Sequence, residues 1–227
     1  MRLTMARNID EPVALAQPGI EPKARESFNA LWASLFLSGR ASGKAVLICS
    51  AGRRAGASTV ACGLALAGSR PGGARVALVD MDMQNPSLHE MLGVRCGPGV
   101  AEIASAGLAP ESAVQRINAG LDLYAAGEVD SRGPEVLCKD GIADFLEVIG
   151  RAYDYVLADT AAVNDFPDAA SVAATVKEVV LVAHTEQTPR EAVARAKRRL
   201  EGCGATVIGL VLNMRAYPMP WFLRSRP

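Results

Sequence analysis

Residues 50–59 read SAGRRAGAST. A loop that cradles phosphate between a strand and a helix reads G-x-x-x-x-G-K-[ST]: backbone N–H groups hold the anion, the lysine reaches the outer phosphates and the hydroxyl faces magnesium. Here Ala51 and Gly52 supply small residues at the start, Ala55 and Gly56 close the loop, and Ser58 and Thr59 supply the hydroxyls. The lysine position is Ala57. A helix N-terminus offers free N–H groups and a partial positive charge, so it can hold phosphate without a lysine. Arg53 and Arg54 lie inside the loop, and an arginine can grip phosphate with two donors. They also suit plain solvent-exposed loop charges.

Carboxylates follow at two more points. Asp80 and Asp82 end the run RVALVD and open the next loop, and Asp159 ends VLAD. Magnesium takes hard oxygen ligands, several through water, so a loop hydroxyl such as Ser58 with Asp80 and Asp159 suits a magnesium–nucleotide site. Each feature alone has an ordinary explanation. Tight turns use glycine, aspartate starts turns, and Ser58 can simply cap a helix. Their chain order, all after apolar runs, favours one shared site.

The elements that must position them follow from periodicity. KAVLICS (44–50), RVALVD (75–80), LDLYAAG (121–127), YDYVLADT (153–160), KEVVLVAH (177–184) and ATVIGLVLN (205–213) are short apolar runs fit for buried strands. Helical stretches separate them. Phe28, Leu31, Trp32, Leu35 and Phe36 recur at helix spacing before Gly39, and residues 58–69, 100–106, 110–117, 133–150, 167–174 and 189–203 read as further helices. Near-continuous apolar strands alternating with helices predict an α/β fold: a doubly wound, mostly parallel sheet with helices on both faces. Ligands in such folds bind outside the carboxyl ends of the strands, where the loop and the aspartates fall. The predicted organisation is an irregular arm over 1–23, one domain over 24–214 and a proline-interrupted tail over 215–227.

Composition excludes other classes. The chain has 227 residues, enough for one sizeable core. Lys+Arg and Asp+Glu both number 24, so no net field draws it to nucleic acid or an anionic surface. Aromatics at 5% argue against a base-stacking platform. Cys49, Cys62, Cys96, Cys138 and Cys203 are widely spaced without a C-x-x-C pair, and they read as small buried hydrophobes in a reducing cytosol. His89 and His184 lack metal-ligand spacing. The polar N-terminus has no apolar signal-peptide core, and no run reaches membrane-spanning length.

LVDMDMQNPSLHEMLGV (78–94) resembles the second acidic motif of the bacterial tyrosine kinases that regulate capsule and exopolysaccharide export, within the MinD/ParA-like deviant P-loop NTPases. GLDLYAAGEVDSRGPEVL, YDYVLADTAAV, the Asp168 stretch and GATVIGLVLN follow in the family's order, and ESFNALWASLFL resembles its N-terminal helix. The resemblance covers residues 26–213. It implies a P-loop NTPase-like fold binding Mg-ATP or Mg-ADP. Gly52 to Thr59 would hold the phosphates, and Ser58, Asp80 and Asp159 the magnesium, partly through water. Asp80 and Asp82 would serve catalysis, and Asn213 would touch the adenine.

The departures weaken the implied reaction. The lysine is Ala57, the arginine after Asp82 is Gln84, and the two prolines after Thr160 are Ala161 and Ala162. The family's E-x-x-R-x-x-R self-association motif reads Glu26, Asn29, Trp32, and Tyr217 stands alone where the family has a tyrosine cluster. A lysine bonded to phosphate contributes on the order of 1.5–3 kcal/mol to binding. A cation aimed at the transition-state charge is worth roughly a thousandfold in rate. The sequence therefore predicts weak or lost nucleotide binding and little turnover. The expected role is that of a cytoplasmic regulator of polysaccharide biosynthesis and export. It would be recruited to the inner face of the membrane by an integral polysaccharide co-polymerase or chain-length regulator, with Trp32 as a partner-binding anchor. Any homo-oligomer would form without the arginine motif. The alternatives are an active autokinase or ATPase using Arg53 and Arg54, and a MinD/ParA-like positioning ATPase.

Overall fold

The computed structural model describes residues 22–129, 135, 137 and 140–214. In chain order the elements are α1 (Pro22–Trp32), a π-helical turn (Ala33–Leu37), β1 (Ala45–Ser50), α2 (Ala57–Gly68), β2 (Val76–Asp80), α3 (Leu88–Leu92), α4 (Val100–Ala106) and α5 (Pro110–Ala113). Then come β3 (Val114–Arg116), β4 (Leu121–Tyr124), α6 (Asp140–Ala152), β5 (Tyr155–Asp159), α7 (Asp168–Val176), β6 (Glu178–His184), α8 (Arg190–Gly202) and β7 (Thr206–Asn213).

The strands form one sheet in the order β3-β4-β2-β5-β1-β6-β7. Every neighbouring pair is parallel except β3 against β4. The central strands are buried almost throughout, because helices cover both faces. Alternate residues feed two cores. Leu47 and Cys49 join Ile142, Phe145, Val172 and Leu200 on one face, under α4, α6, α7 and α8. Val46 and Ile48 join Trp32, Phe36, Leu64 and Leu88 on the other, under α1, α2 and α3.

Three local expectations change. The stretch 110–117 is helical only as far as Ala113. Its remainder is edge strand β3, turned back onto β4 through bonds from the Ile117 amide to the Leu121 carbonyl and from the Gly120 amide to Asn118 Oδ1. Helix α1 starts at Pro22, inside the expected arm, where a proline's missing N–H leaves no intrahelical bond unmade. Trp32 does not face outward. It is 6% exposed, its ring lies 4.2 Å from Phe36 and 5.2 Å edge-on from Tyr155, and it rests on Gly68 so closely that a Cβ there would collide with the indole. The apolar stripe of α1 is a core-facing stripe, which corrects the reading of Trp32 as a partner anchor. Among the described cysteines Cys49 and Cys62 are buried, Cys96 and Cys203 partly buried, and all four are free thiols.

Candidate active site at the carboxyl edge of the sheet

Between β1 and α2 the chain makes a loop that ends in the left-handed region, with Gly56 at φ 82°. A Cβ at Gly56 would strike Asn213 Nδ2, so this position excludes larger residues for two reasons at once. Asn213 ends β7 and donates from Nδ2 to the Ala55 carbonyl at 2.9 Å. Asn164 holds the other end of the loop, donating to the Ala51 carbonyl at 2.6 Å and to Ala192 at 2.9 Å. The loop is thus clamped by side chains from two different elements. No side chain caps α2, so the first-turn amides of Ala57, Ser58 and Thr59 carry the helix's positive end.

The register of β2 and β5 places Asp80 directly beside Asp159. Both are 0% exposed. Asp80 spends its oxygens on backbone: Oδ1 accepts from the Asp82 amide at 3.2 Å, and Oδ2 accepts from Ser87 and Leu88, both at 3.1 Å. Burial pushes its pKa up to about 6 despite those three donors, and the Asp82 charge adds to the rise. Asp159 is pushed well above the usual carboxylate range by burial first and by the Asp80 charge second. The Ser58 hydroxyl and the Thr160 amide counteract this in part, but the geometry of both falls short of a hydrogen bond. Both Asp159 oxygens, and the adjoining Thr160 hydroxyl, are buried without a partner among the described residues. A buried unpaired carboxylate is costly, and it is relieved by a proton or by a cation.

A cleft of about 710 Å³ opens beside this pair. The loop residues Arg53, Arg54, Ala55, Gly56, Ala57, Ser58 and Thr59 form one wall, Asp82, Gln84, Asn85, Ser87 and Met91 a second, and Thr160, Ala161, Ala162 and Phe166 a third. Asp82 Oδ1 accepts from the amides of Gln84 and Asn85, which folds the acidic segment into a turn. Burial raises the Asp82 pKa. Those amides and the Arg53 charge oppose the rise, while Asp168 supports it. Gln84 Nε2 donates to Asp168 Oδ2 at 3.2 Å and ties this wall to α7.

The structure therefore brings most of the expected residues together. Arg53, Arg54, Ala55, Gly56, Ala57, Ser58, Thr59 and Asp82 line the cleft, with Asp80 and Asp159 buried next to it. Gly52 and Asn213 do not line it, and Asn213 is bonded to the loop at the Ala55 carbonyl. Phe166, Asn164 and the Thr160 hydroxyl were not singled out by sequence, because nothing local distinguishes them from loop and turn residues. Among the described residues no three His, Cys, Asp or Glu side chains gather into an all-protein metal cage. Magnesium needs no such cage, since it keeps several waters and takes one or two carboxylates. The unpartnered Asp159 carboxylate and the Ser58 hydroxyl fit that requirement.

Residues 42–222 match the ParA family, described as a NUBPL iron-transfer P-loop NTPase. Among relatives, tyrosine-protein kinase YwqD of Bacillus subtilis is 29% identical over 171 residues, covering 75% of this chain and 72% of YwqD. Tyrosine-protein kinase wzc of Salmonella typhi is 30% identical over 140 residues, 61% of this chain. The chain spans only 20% of the length of wzc. Among solved structures, the kinase domain of Escherichia coli tyrosine kinase ETK superposes with a TM-score of 0.80 at 25% identity, covering 97% of this chain and 88% of that domain. With its clamped loop, its strand-end aspartates and this match over most of its length, the chain belongs to the ParA family of P-loop NTPases, and the relatives it resembles are bacterial tyrosine-protein kinases.

Proposed function

We propose that this protein is a degenerate tyrosine-kinase-like regulator of exopolysaccharide or capsule biosynthesis and export, binding magnesium–nucleotide weakly and turning it over little or not at all. The observation that carries the reading is Ala57, the first residue of α2. It sits on the cleft wall at the lysine position and brings a methyl group where the pattern requires a cation. The rest of the site supports retained binding: uncapped α2 amides for phosphate, and Ser58 and Asp159 for a magnesium ion. Magnesium, when bound, would neutralise phosphate charge and offset the buried carboxylates. The chain's own residues hold and orient the ligand, and the first turn of α2 carries no lysine to stabilise charge on a transferring phosphate.

The protein would then act by docking. Among the described residues no helix is long and apolar enough to cross a membrane. The relatives named as tyrosine kinases include one in a cps region of Klebsiella pneumoniae. The partner that suits this reading is an integral polysaccharide co-polymerase or chain-length regulator, which would bring the protein to the inner face of the membrane. Affinity purification from solubilised membranes should recover that partner, and deletion of the gene should reduce or shorten the polymer. Complementation with Asp159→Asn should restore output. Failure of that variant to complement while it still docks contradicts a role without phosphoryl transfer.

A second reading has one observation in its favour: Arg53 and Arg54 both line the cleft. In that case the protein is an ATPase or autokinase with an arginine in the lysine's place. The tail bearing Tyr217 lies outside the described residues.

A further inference from the structure

Asp82 and the buried Asp80, Asp159 and Asp168 make the surroundings of the cleft acidic, and Ala57 contributes no charge against them. The positive side chains on its wall are Arg53 and Arg54. They are not equivalent. The Arg53 guanidinium lies 5.4 Å from the centroid of the Phe166 ring, a cation–π distance, and its charge acts on Asp82. That side chain is engaged with the wall. Arg54 is exposed and stands at φ 58°, a backbone conformation that a side-chain-bearing residue adopts at a cost. Among the described residues it has no hydrogen bond, ion pair or ring contact. The ligand-directed evidence at the same cleft is independent of the loop's shape. Thr160, 2% exposed and on the cleft wall, has an unpartnered hydroxyl, and beside it both oxygens of Asp159 are buried and unpartnered.

We propose that Arg54, and not Arg53, is the cation that contacts the terminal phosphates of a nucleoside di- or triphosphate in this cleft, taking over part of the binding role of the absent lysine. The inference rests on the reading that the cleft accepts a magnesium–nucleotide. It assigns the two arginines different tasks, which the sequence RR leaves undivided. An arginine on the rim can grip outer phosphate oxygens with two donors, while the inner phosphates rest on the α2 amides.

Calorimetric titration of the full chain with Mg-ATP, Mg-ADP and AMP tests this. Arg54→Ala should weaken Mg-ATP by roughly tenfold, the low end for one charge-assisted contact, and leave AMP unchanged, so the ATP-to-AMP affinity ratio collapses. Arg54→Gly, which tolerates the same backbone conformation, should behave alike, and Arg54→Lys should retain most of the ratio. Arg53→Ala should leave the ratio intact. An unchanged ratio in Arg54→Ala, or a collapse in Arg53→Ala, overturns the assignment while nucleotide binding stands. No measurable Mg-ATP binding by the native chain overturns both together.

Discussion

Asp80 and Asp159 are register partners on adjacent parallel strands, and neither exposes any surface. One is fully committed to backbone amides; the other has no partner among the described residues. Burial raises the pKa of each, and the Asp80 charge raises Asp159 further, so the two cannot both ionise cheaply in that position. Ionising both carboxylates therefore carries an electrostatic penalty that a divalent cation would relieve.

A pH dependence follows. The Asp80 pKa rises from 3.8 to about 6 in the folded chain, so between those values the native state holds more protons than the unfolded state. Stability from this pair is then greatest on the acid side and falls as pH rises through that window, continuing above it because Asp159 is also raised. Thermal melts in chelator at pH 5 and pH 7.5, with other groups controlled by Asp159→Asn, check this. The variant should flatten the pH dependence and melt higher at pH 7.5. A native chain whose melting temperature rises between pH 5 and pH 7.5 by the same amount as the variant's would contradict the paired-carboxylate account.

Gly56→Ala should be costly in two ways. It places a Cβ at φ 82° and against Asn213 Nδ2. A strained left-handed residue costs about 1–3 kcal/mol, and relief would require breaking the Asn213–Ala55 bond that shapes the loop. Denaturant unfolding should show the loss. Adding Asn213→Ala to Gly56→Ala should recover part of it, because the steric component disappears.

Trp32→Ala should destabilise the fold by about 3–5 kcal/mol, as a large aromatic leaving a packed core. The indole touches Phe36, Tyr155 and Gly68 together. A substitution that left stability unchanged while abolishing partner capture would restore the sequence-based reading of this residue.

That reading failed for a physical reason. An apolar stripe on a helix has the same spacing whether it faces its own sheet or another protein, and only the sheet's position decides. The strand ends were legible because near-continuous apolar runs must be buried, and the aspartates that terminate them must then fall on one edge. Ala57 was legible as an absence, by comparison with the loop pattern. The Asn213 brace was not, since the contact joins residues 55 and 213 through tertiary structure alone. The stacking of Arg53 on Phe166 was hidden in the same way. Edge strand β3 was misread as helix because Pro110 and Glu111 open a true helical turn that the chain leaves after Ala113.

Ala57→Lys should tighten Mg-ATP binding by roughly ten- to a hundredfold, the worth of a charged hydrogen bond to phosphate. Ala57→Met, similar in length and uncharged, should not tighten it. Equal effects of both would assign the gain to packing at the first turn of α2 instead of to charge.

On the proposed function, the fold has kept a nucleotide cleft and lost its turnover. Steady-state phosphate release from Mg-ATP by the purified native chain, at a nucleotide concentration shown by titration to occupy the cleft, tests it most directly. Nucleotide should occupy the cleft with release no faster than the protein-free background. Sustained release that Asp159→Asn abolishes would contradict it and establish a working NTPase without the loop lysine.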